Sequence, residues 1–254
     1  MRIALKFAYN GKNFHGYARQ PNVATIEGLI IDLLKETGYI RNPKEAKFQS
    51  ASRTDKGVSA LGNVVSFDTT KRIDAIFNDL NVYNNVVFYA IKKVNDDFYP
   101  RYATRRIYRY YLKKKDIEIN AAMKTLSLFT GTYDFSNFAR VESHKNPIRT
   151  IDAILVDESE DFIILDFFAQ TYLWHQIRRI IATVLKVQEK RISDEMICNA
   201  LQHPKKKVDF GLAKSEHLIL LDVLYQFSFH ESEPYLKKKD ELELHLINDI
   251  KYPS

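Results

Sequence analysis

The sequence is short of cysteine, glycine and long hydrophobic runs, and each shortage excludes a class of protein. Its 254 residues include one cysteine, Cys198, so neither an internal disulfide nor a zinc site with several cysteines can form. No apolar run approaches the roughly 20 residues that span a bilayer, and the first apolar run is too short for a signal peptide. We therefore expect a cytoplasmic protein that does not engage a membrane.

Charge and aromatic content distinguish the chain more than its size does. Lys and Arg number 38 against 32 Asp and Glu, a net charge of +6 that permits a polyanionic partner without requiring one. Fifteen Tyr and sixteen Phe accompany only eight Gly, which is more aromatic surface than a core of Leu, Ile and Val needs. A hydrophobic content of 45% excludes a disordered chain and indicates one large domain or two small ones.

Hydrophobic periodicity predicts strands mixed with helices in an N-terminal half, residues 1–100. A strand ends at the turn Asn10-Gly11, and a helix follows that is capped by Thr25 and stopped at Gly38. The other predicted elements of this half are extended runs on either side of Asp55-Lys56-Gly57, a short helix at 73–80 and a strand at 86–94.

The C-terminal half, residues 101–254, repeats this order loosely. Its predicted elements are a strand at 105–113, a helix at 121–129, strands at 152–157 and 161–169, and a strong helix at 175–188. No Gly/Ser/Pro-rich linker separates the halves, which favours an α+β protein whose halves share one sheet. The charged segment from about residue 230 is expected to be a solvated C-terminal appendage, with a peripheral helix as the alternative.

Asp55 stands in the segment Arg53-Thr54-Asp55-Lys56-Gly57, which admits two interpretations. An Asp before Lys-Gly commonly caps a turn with its own carboxylate. In the functional interpretation, Arg53 and Asp55 project from the same face because they are two residues apart in extended chain. A guanidinium beside the carboxylate would keep it ionised, as a nucleophile or base must be.

The segment 101–115 contains seven basic residues and four tyrosines and no acidic residue. Cations contact phosphates and aromatic rings stack on unpaired bases, so this pattern is typical of binding to RNA with splayed-out nucleotides. In a strand, Tyr108 and Tyr110 would lie on one face and Arg109 on the other. Ordinary packing is the alternative, and Tyr110 and Tyr111 fit it equally well.

The helix after Tyr172 carries two arginines on different sides. At about 100° per residue, its apolar face consists of Trp174, Ile177, Ile181, Val184 and Leu185. Arg178 lies at the edge of that face, whereas Arg179 lies on the polar side. Arg178 could therefore enter the interior, where it would need an anionic partner, and Asp55 is one candidate.

Several other chemistries find no support in the sequence. There is no Gly-rich phosphate loop, no pair of histidines at metal-binding spacing and no G-x-S-x-G nucleophile motif. We therefore expect neither a cofactor nor a metal. A single carboxylate with basic and aromatic surroundings remains.

Five ordered motifs, spread from Arg2 to about Tyr225, resemble those of the tRNA pseudouridine synthase A family. YNGKNFHGYARQP is similar to the family's Y-D-G-x-x-F-x-G-W-x-x-Q, and SRTDKGVSA to its G-R-T-D-x-G-V-H-A. DDFYPRYATRRIYRYYL resembles D-D-F-x-A-R followed by Y-R-Y, and LFTGTYDFSNF resembles L-x-G-x-H-D-F-x-x-F. FFAQTYLWHQIRRIIATVLKV resembles F-x-A-x-x-F-L-x-x-M-V-R-x-I-V-G-x-L.

The resemblance implies roles for four residues. Asp55 matches the family's catalytic aspartate, and Tyr108 matches the tyrosine that contacts the target nucleoside. Arg178 matches the arginine that pairs with the nucleophile, and Arg53 an arginine implicated in prising the base from the RNA stack. The implied reaction, isomerisation of uridine to pseudouridine in RNA, needs no cofactor.

The same resemblance implies a fold and partners. The expected fold is two similar α/β halves around a mainly antiparallel sheet with a central cleft, in a homodimer that binds tRNA. The expected targets are uridines 38–40 of the anticodon stem-loop. The alternatives are a synthase acting on other RNA uridines and a non-catalytic RNA-binding protein. The chain departs from the family motifs at Ser52, Ser59, Tyr17, Tyr133 and His217, and none of these departures removes a catalytic group.

Overall fold

The computed structural model describes residues 1–253, which form two compact units. The first unit contains Met1–Thr104 and the chain from Ile219 onward, and the second contains Arg105–Leu218. One boundary lies near the predicted division at residue 100. The C-terminal stretch was predicted to belong with the second half, whereas in the structure it packs with the first.

Strands and helices alternate along the chain in both units. The strands are β1 (Arg2–Tyr9), β2 (Gln49–Ser50), β3 (Ser59–Asp68), β4 (Val86–Val94), β5 (Arg105–Lys113), β6 (Gly131–Asp134), β7 (Ile148–Ile151), β8 (Ala153–Glu158), β9 (Phe162–Ala169), β10 (Leu218–Leu224) and β11 (His230–Glu231). The helices are α1 (Ile26–Glu36), α2 (Ile76–Leu80), α3 (Ile119–Ser127), α4 (Gln176–Gln188), α5 (Asp194–Gln202) and α6 (Glu233–Lys251), with a 3-10 turn at Lys114–Asp116.

The sheet of the first unit has the strand order β11-β4-β1-β3-β10, with β2 added to β3. All of these pairs are antiparallel except the parallel pair of β3 and β10. Every residue of the central strand β1 is buried. Helix α1 begins where the sequence predicts, because the Thr25 hydroxyl accepts a hydrogen bond from the Gly28 amide at 3.3 Å.

In the second unit, strands pair in the order β5-β9-β8, and both of these pairs are antiparallel. Helix α4 buries Ile177, Ile180, Ile181 and Val184, and β6 and β7 form a separate hairpin. The predicted α+β class with mainly antiparallel sheet is therefore confirmed. No helix within residues 1–253 is long and apolar enough to cross a membrane.

The C-terminal segment is not a solvated appendage, and that prediction is wrong. Its strand β11 pairs with β4, and α6 buries Leu242, Leu246 and Ile250. These three residues recur every four positions and so form one apolar stripe along a helix that is otherwise charged. The stripe is hard to recognise in the sequence because charged residues are frequent along the helix and other apolar residues, such as Leu244 and Ile247, do not follow the four-residue spacing.

Arg2 holds the start of β1 to three other parts of the first unit. Its guanidinium donates hydrogen bonds to Asp68 at 2.8 Å, Gln49 at 2.8 Å, Ser66 at 2.8 Å and the Phe98 carbonyl at 2.9 Å. The residue is 3% exposed. A buried charge with this many partners stabilises the fold only while the whole set remains intact.

We predict that Arg2→Met lowers the free energy of unfolding by about 3 kcal/mol, because it leaves several buried acceptors without a donor. Arg72→Met is the matched control. It also removes an Arg–Asp pair at 2.8 Å, but with side chains 91% and 71% exposed, and it should change stability by no more than about 0.5 kcal/mol. Chemical denaturation measures both variants. Equal losses would contradict the role given to Arg2.

Candidate active site

Asp55 lies in a tight turn that leads into β3 of the first unit. The Val58 amide donates to the Asp55 carbonyl at 3.1 Å, and Gly57 has a φ of +83°, as the third residue of a type II turn requires. The Asp55 side chain is half-buried and Arg53 is exposed. The turn predicted from Asp-Lys-Gly is thus present, and it presents a carboxylate near the surface.

The chain from residue 10 to 17 packs so closely against this turn that a side chain would overlap it at Gly11 and be tightly crowded by it at Gly16. A Cβ on Gly11 would overlap the carbonyl of Val58. Gly16 has a φ of +93°, and its Cβ would lie 3.3 Å from the Lys56 amide nitrogen and 3.4 Å from the Thr54 carbonyl. The Asp55 turn is therefore clamped by backbone on one side.

Buried hydroxyl groups hold the residues that precede the turn. The hydroxyls of Tyr9 and Thr54 share a hydrogen bond of 2.7 Å, and the Tyr17 amide donates to the Thr54 carbonyl at 3.1 Å. The Tyr17 hydroxyl donates to Ser50 at 2.8 Å. Burial raises the pKa of Tyr17, so the phenol remains a neutral donor. Sequence reasoning did not identify this support.

An open pocket of about 390 Å³ lies beside Arg53 in the same unit. Its lining residues are Ala18, Arg19, Gln20, Pro21, Glu27 and Arg53. The Glu27 carboxylate accepts a hydrogen bond from the Arg19 amide at 3.1 Å and another from the Ser50 hydroxyl at 3.3 Å. Glu27 thereby ties the pocket wall to the hydroxyl groups behind the Asp55 turn.

Tyr108 lies in β5 of the second unit, where it is 9% exposed. The Tyr172 ring packs edge-on against it, with centroids 5.3 Å apart and an interplanar angle of 87°. Burial raises the pKa of Tyr172, and its buried hydroxyl has no hydrogen-bond partner among residues 1–253. The sequence did not single out Tyr172 as a neighbour of Tyr108, because the matching position of the family motif is Phe.

Several of the basic and aromatic residues around Tyr108 form ion pairs or pack within the sheet. Arg109 forms two hydrogen bonds of 2.7 Å to Asp166, the residue opposite it on β9, and this carboxylate raises its pKa. Arg105 likewise pairs with Asp152 at 3.1 Å. Tyr110 and Tyr111 are each 2% exposed, so the packing alternative holds for them.

Arg178 lies in the first turns of α4 and is half-buried, and so is Arg179, which was predicted to lie on the polar side. Its Nε donates to the Ala213 carbonyl at 2.8 Å, and the Ala213 amide donates to the Arg178 carbonyl at 3.1 Å. Burial raises the pKa of Tyr110, and the nearby charge of Arg178 opposes that rise.

Trp174 does not belong to the apolar face of α4, and its predicted place there is wrong. The helix begins only at Gln176, after His175, which has a left-handed φ of +65°. That conformation breaks the helical phase, so Trp174 turns outward and is 43% exposed.

Comparison with known proteins places the chain in a family. The tRNA pseudouridine synthase A of Thermococcus sibiricus is 40% identical over 247 residues, which cover 96% of this chain and 92% of that one. The chain belongs to the tRNA pseudouridine synthase A family. The protein of the same name from Methanothermobacter thermautotrophicus is 38% identical over 226 residues, covering 88% of this chain and 81% of that one.

A family model also matches part of this tRNA pseudouridine synthase. A family model described as tRNA pseudouridine synthase matches residues 126–226. A crystal structure of a Cbf5-Nop10-Gar1 complex is 13% identical and covers 72% of this chain and 44% of that chain, with a TM-score of 0.38. That likeness is too slight to bear on the fold. As a family member, the protein is an isomerase that converts uridine to pseudouridine in tRNA.

We predict that Gly16→Ala lowers kcat/KM for pseudouridine formation about tenfold, because the added Cβ displaces the backbone at Thr54 and Lys56. Gly38→Ala is the matched control. Gly38 also has a positive φ, +74°, but no atom lies within 4 Å of its Cβ position. Both variants should lose about 1 kcal/mol of stability, whereas only Gly16→Ala should lose activity. Equal activities at equal stability would show that the clamp is not needed.

Proposed function

We propose that this enzyme forms pseudouridine at positions 38–40 of the tRNA anticodon stem-loop, with Asp55 as its catalytic group. The observation that carries the catalytic assignment is the Asp55 turn, in which a half-buried carboxylate is fixed by a type II turn and by the close backbone packing at Gly11 and Gly16. Fixing a reactive group in one position lowers the entropic part of the barrier. The motif Arg53-Thr54-Asp55-Lys56-Gly57 supports the same assignment.

The reaction is an isomerisation, and its atoms balance without a second substrate. The bond from N1 of uracil to C1′ of ribose breaks, the base turns, and C5 bonds to C1′ while C5 loses a proton and N1 gains one. Asp55 can begin this sequence by attack at C1′, by attack at C6 or by deprotonating the ribose toward a glycal. All three routes need an ionised carboxylate.

Two residues of the second unit support the carboxylate and the base in this proposal. Arg178 stabilises the ionised form of Asp55, the role that the family resemblance assigns to it, and its bond to Ala213 sets the plane of the guanidinium. Tyr108 contacts the target nucleoside with a ring that Tyr172 holds in place. A held ring stacks on uracil at little entropic cost.

Arg53 opens the RNA in this proposal. A uridine in a stem must leave its stack before the half-buried Asp55 carboxylate can reach it, at a cost of a few kcal/mol. Arg53 is exposed and lines the 390 Å³ pocket two residues from Asp55. Its guanidinium can fill the gap that the departing base leaves.

The assembly and location follow from the family resemblance. We infer a homodimer, since the resemblance implies that one tRNA touches both subunits. We also infer a cytoplasmic enzyme, because tRNA is its substrate.

We predict that Asp55→Asn lowers kcat at least about 1,000-fold while RNA affinity changes less than about threefold, because the amide is isosteric but cannot act as nucleophile or base. Asp74→Asn, which removes the same charge from a side chain 71% exposed, is the control. The measurement is mapping of pseudouridine in tRNA incubated with each protein. Product at 38–40 from the unaltered enzyme is expected. Product at other positions alone would overturn the substrate assignment, and undiminished product from Asp55→Asn would overturn the catalytic one.

Arg53→Ala should slow turnover of an intact stem-loop about 10- to 100-fold, because the base then leaves its stack without assistance. A mismatch opposite the target uridine lowers the cost of unstacking and should restore most of the lost rate. Single-turnover rates on both RNAs test this, with the exposed Arg72→Ala as the control for charge. A loss that is the same on matched and mismatched RNA would contradict a role in base opening.

A further inference from the structure

Trp174 is the sole tryptophan of the chain and stands just before α4, four residues ahead of Arg178. It is 43% exposed, so its large ring is not part of the core. The reaction described above does not use this ring, which also lies against the His175 ring with centroids 5.0 Å apart. Its surroundings indicate what it does.

The backbone that presents Trp174 is held firmly on both sides. The Arg140 amide donates to the Trp174 carbonyl at 2.8 Å, and the pair forms an antiparallel bridge. On the helix side, the Leu173 amide donates to the side-chain oxygen of Gln176 at 2.8 Å. His175 keeps a left-handed φ of +65°, which costs about 1 kcal/mol and persists only where neighbouring contacts enforce it. The exposure of Trp174 is therefore a built feature and not the result of a loose loop.

Arg140 covers part of the Trp174 ring. Its guanidinium carbon lies 4.2 Å from the ring centroid, within the range of a cation–π contact. Two residues before Arg140, the Phe138 ring packs in parallel on Phe210, with centroids 5.0 Å apart and an interplanar angle of 5°, which anchors the chain that leads to Arg140. A rigid aromatic ring and a cation thus share one surface.

The segment that begins at Arg140 carries net positive charge. From Arg140 to Arg149 it contains three cations, Arg140, Lys145 and Arg149, against one carboxylate, Glu142, which pairs with Lys145. This charge favours a polyanionic partner over an uncharged or cationic one. One ring is far smaller than the roughly 1,200 Å² that a stable protein interface buries, whereas it is the size needed to stack on one base.

We propose that Trp174 and Arg140 form a stacking platform for an unpaired base of the bound RNA. The ring stacks on the base, and the guanidinium contacts the ring and a neighbouring phosphate. The platform presupposes the proposed function, since the RNA is taken to be the tRNA anticodon stem-loop, whose loop supplies unpaired bases.

Intrinsic fluorescence tests the platform directly, because Trp174 is the only tryptophan of the chain. Asp55→Asn protein, which binds RNA without turnover, is titrated with a labelled anticodon stem-loop. Label anisotropy reports binding, and tryptophan emission, excited where tyrosine does not absorb, reports stacking. We expect emission to be quenched in step with the anisotropy. Heparin, a polyanion without bases, should leave the emission unchanged.

Three other outcomes of the titration would overturn the platform. RNA that binds without changing the emission overturns it and leaves the proposed function standing. Equal quenching by heparin overturns it too, because charge alone then explains the signal. RNA that does not bind at all overturns the proposed function and the platform together.

The stem-loop affinities of Trp174 variants supply a second test of the platform. Trp174→Ala should weaken stem-loop affinity about 5- to 100-fold, the range that loss of one stacked base produces, and Trp174→Phe should retain most of it. Tyr83→Ala, which removes an aromatic side chain from a residue 50% exposed, is the matched control and should bind normally. If Trp174→Ala does not fold, the fluorescence titration of the Asp55→Asn protein, which keeps Trp174, still tests the platform. Affinity of Trp174→Ala equal to that of Tyr83→Ala would overturn the platform.

Discussion

The close packing of backbone at Gly11 and Gly16 against the Asp55 turn is the constraint on which the candidate site depends. A carboxylate that is to act on one atom of a nucleoside must be held within a fraction of an ångström, and a surface turn does not do this alone. Here a second stretch of chain lies so near that a side chain at Gly11 would overlap Val58. That stretch continues directly from β1, the fully buried central strand, so the rigidity of the core reaches the turn.

Charge in the second unit is arranged differently from what its sequence suggests. The run around β5 is strongly basic, but antiparallel pairing places Asp166 opposite Arg109, where the carboxylate binds the guanidinium. A charge held in this way is part of the sheet and contributes little to attracting RNA. The net charge of +6 therefore does not show where RNA binds, and the proposals made above depend on the positions of two individual cations, Arg53 and Arg140.

The segment that links β9 to α4 shows how a local break in regularity can create a surface. Helical spacing alone placed Trp174 on the apolar face of α4. The left-handed His175 resets the phase, so that Ile177 enters the core while Trp174 turns outward against Arg140. A pattern based on a constant period cannot anticipate such a break, because the break depends on a hydrogen bond to a residue 34 positions earlier, from Arg140 to Trp174.

The sequence by itself determined many of the local elements and the choice of candidate site residues. Thr25 caps α1, Gly57 permits the Asp55 turn, and β5 spans the predicted residues, because capping, turn and strand preferences are set by neighbouring residues. The tertiary structure alone decided that α6 packs on the first unit through three apolar residues, and that Asp166 rather than RNA binds Arg109. Both depend on partners distant along the chain, and burial and ion pairing exist only once folding has brought those partners together.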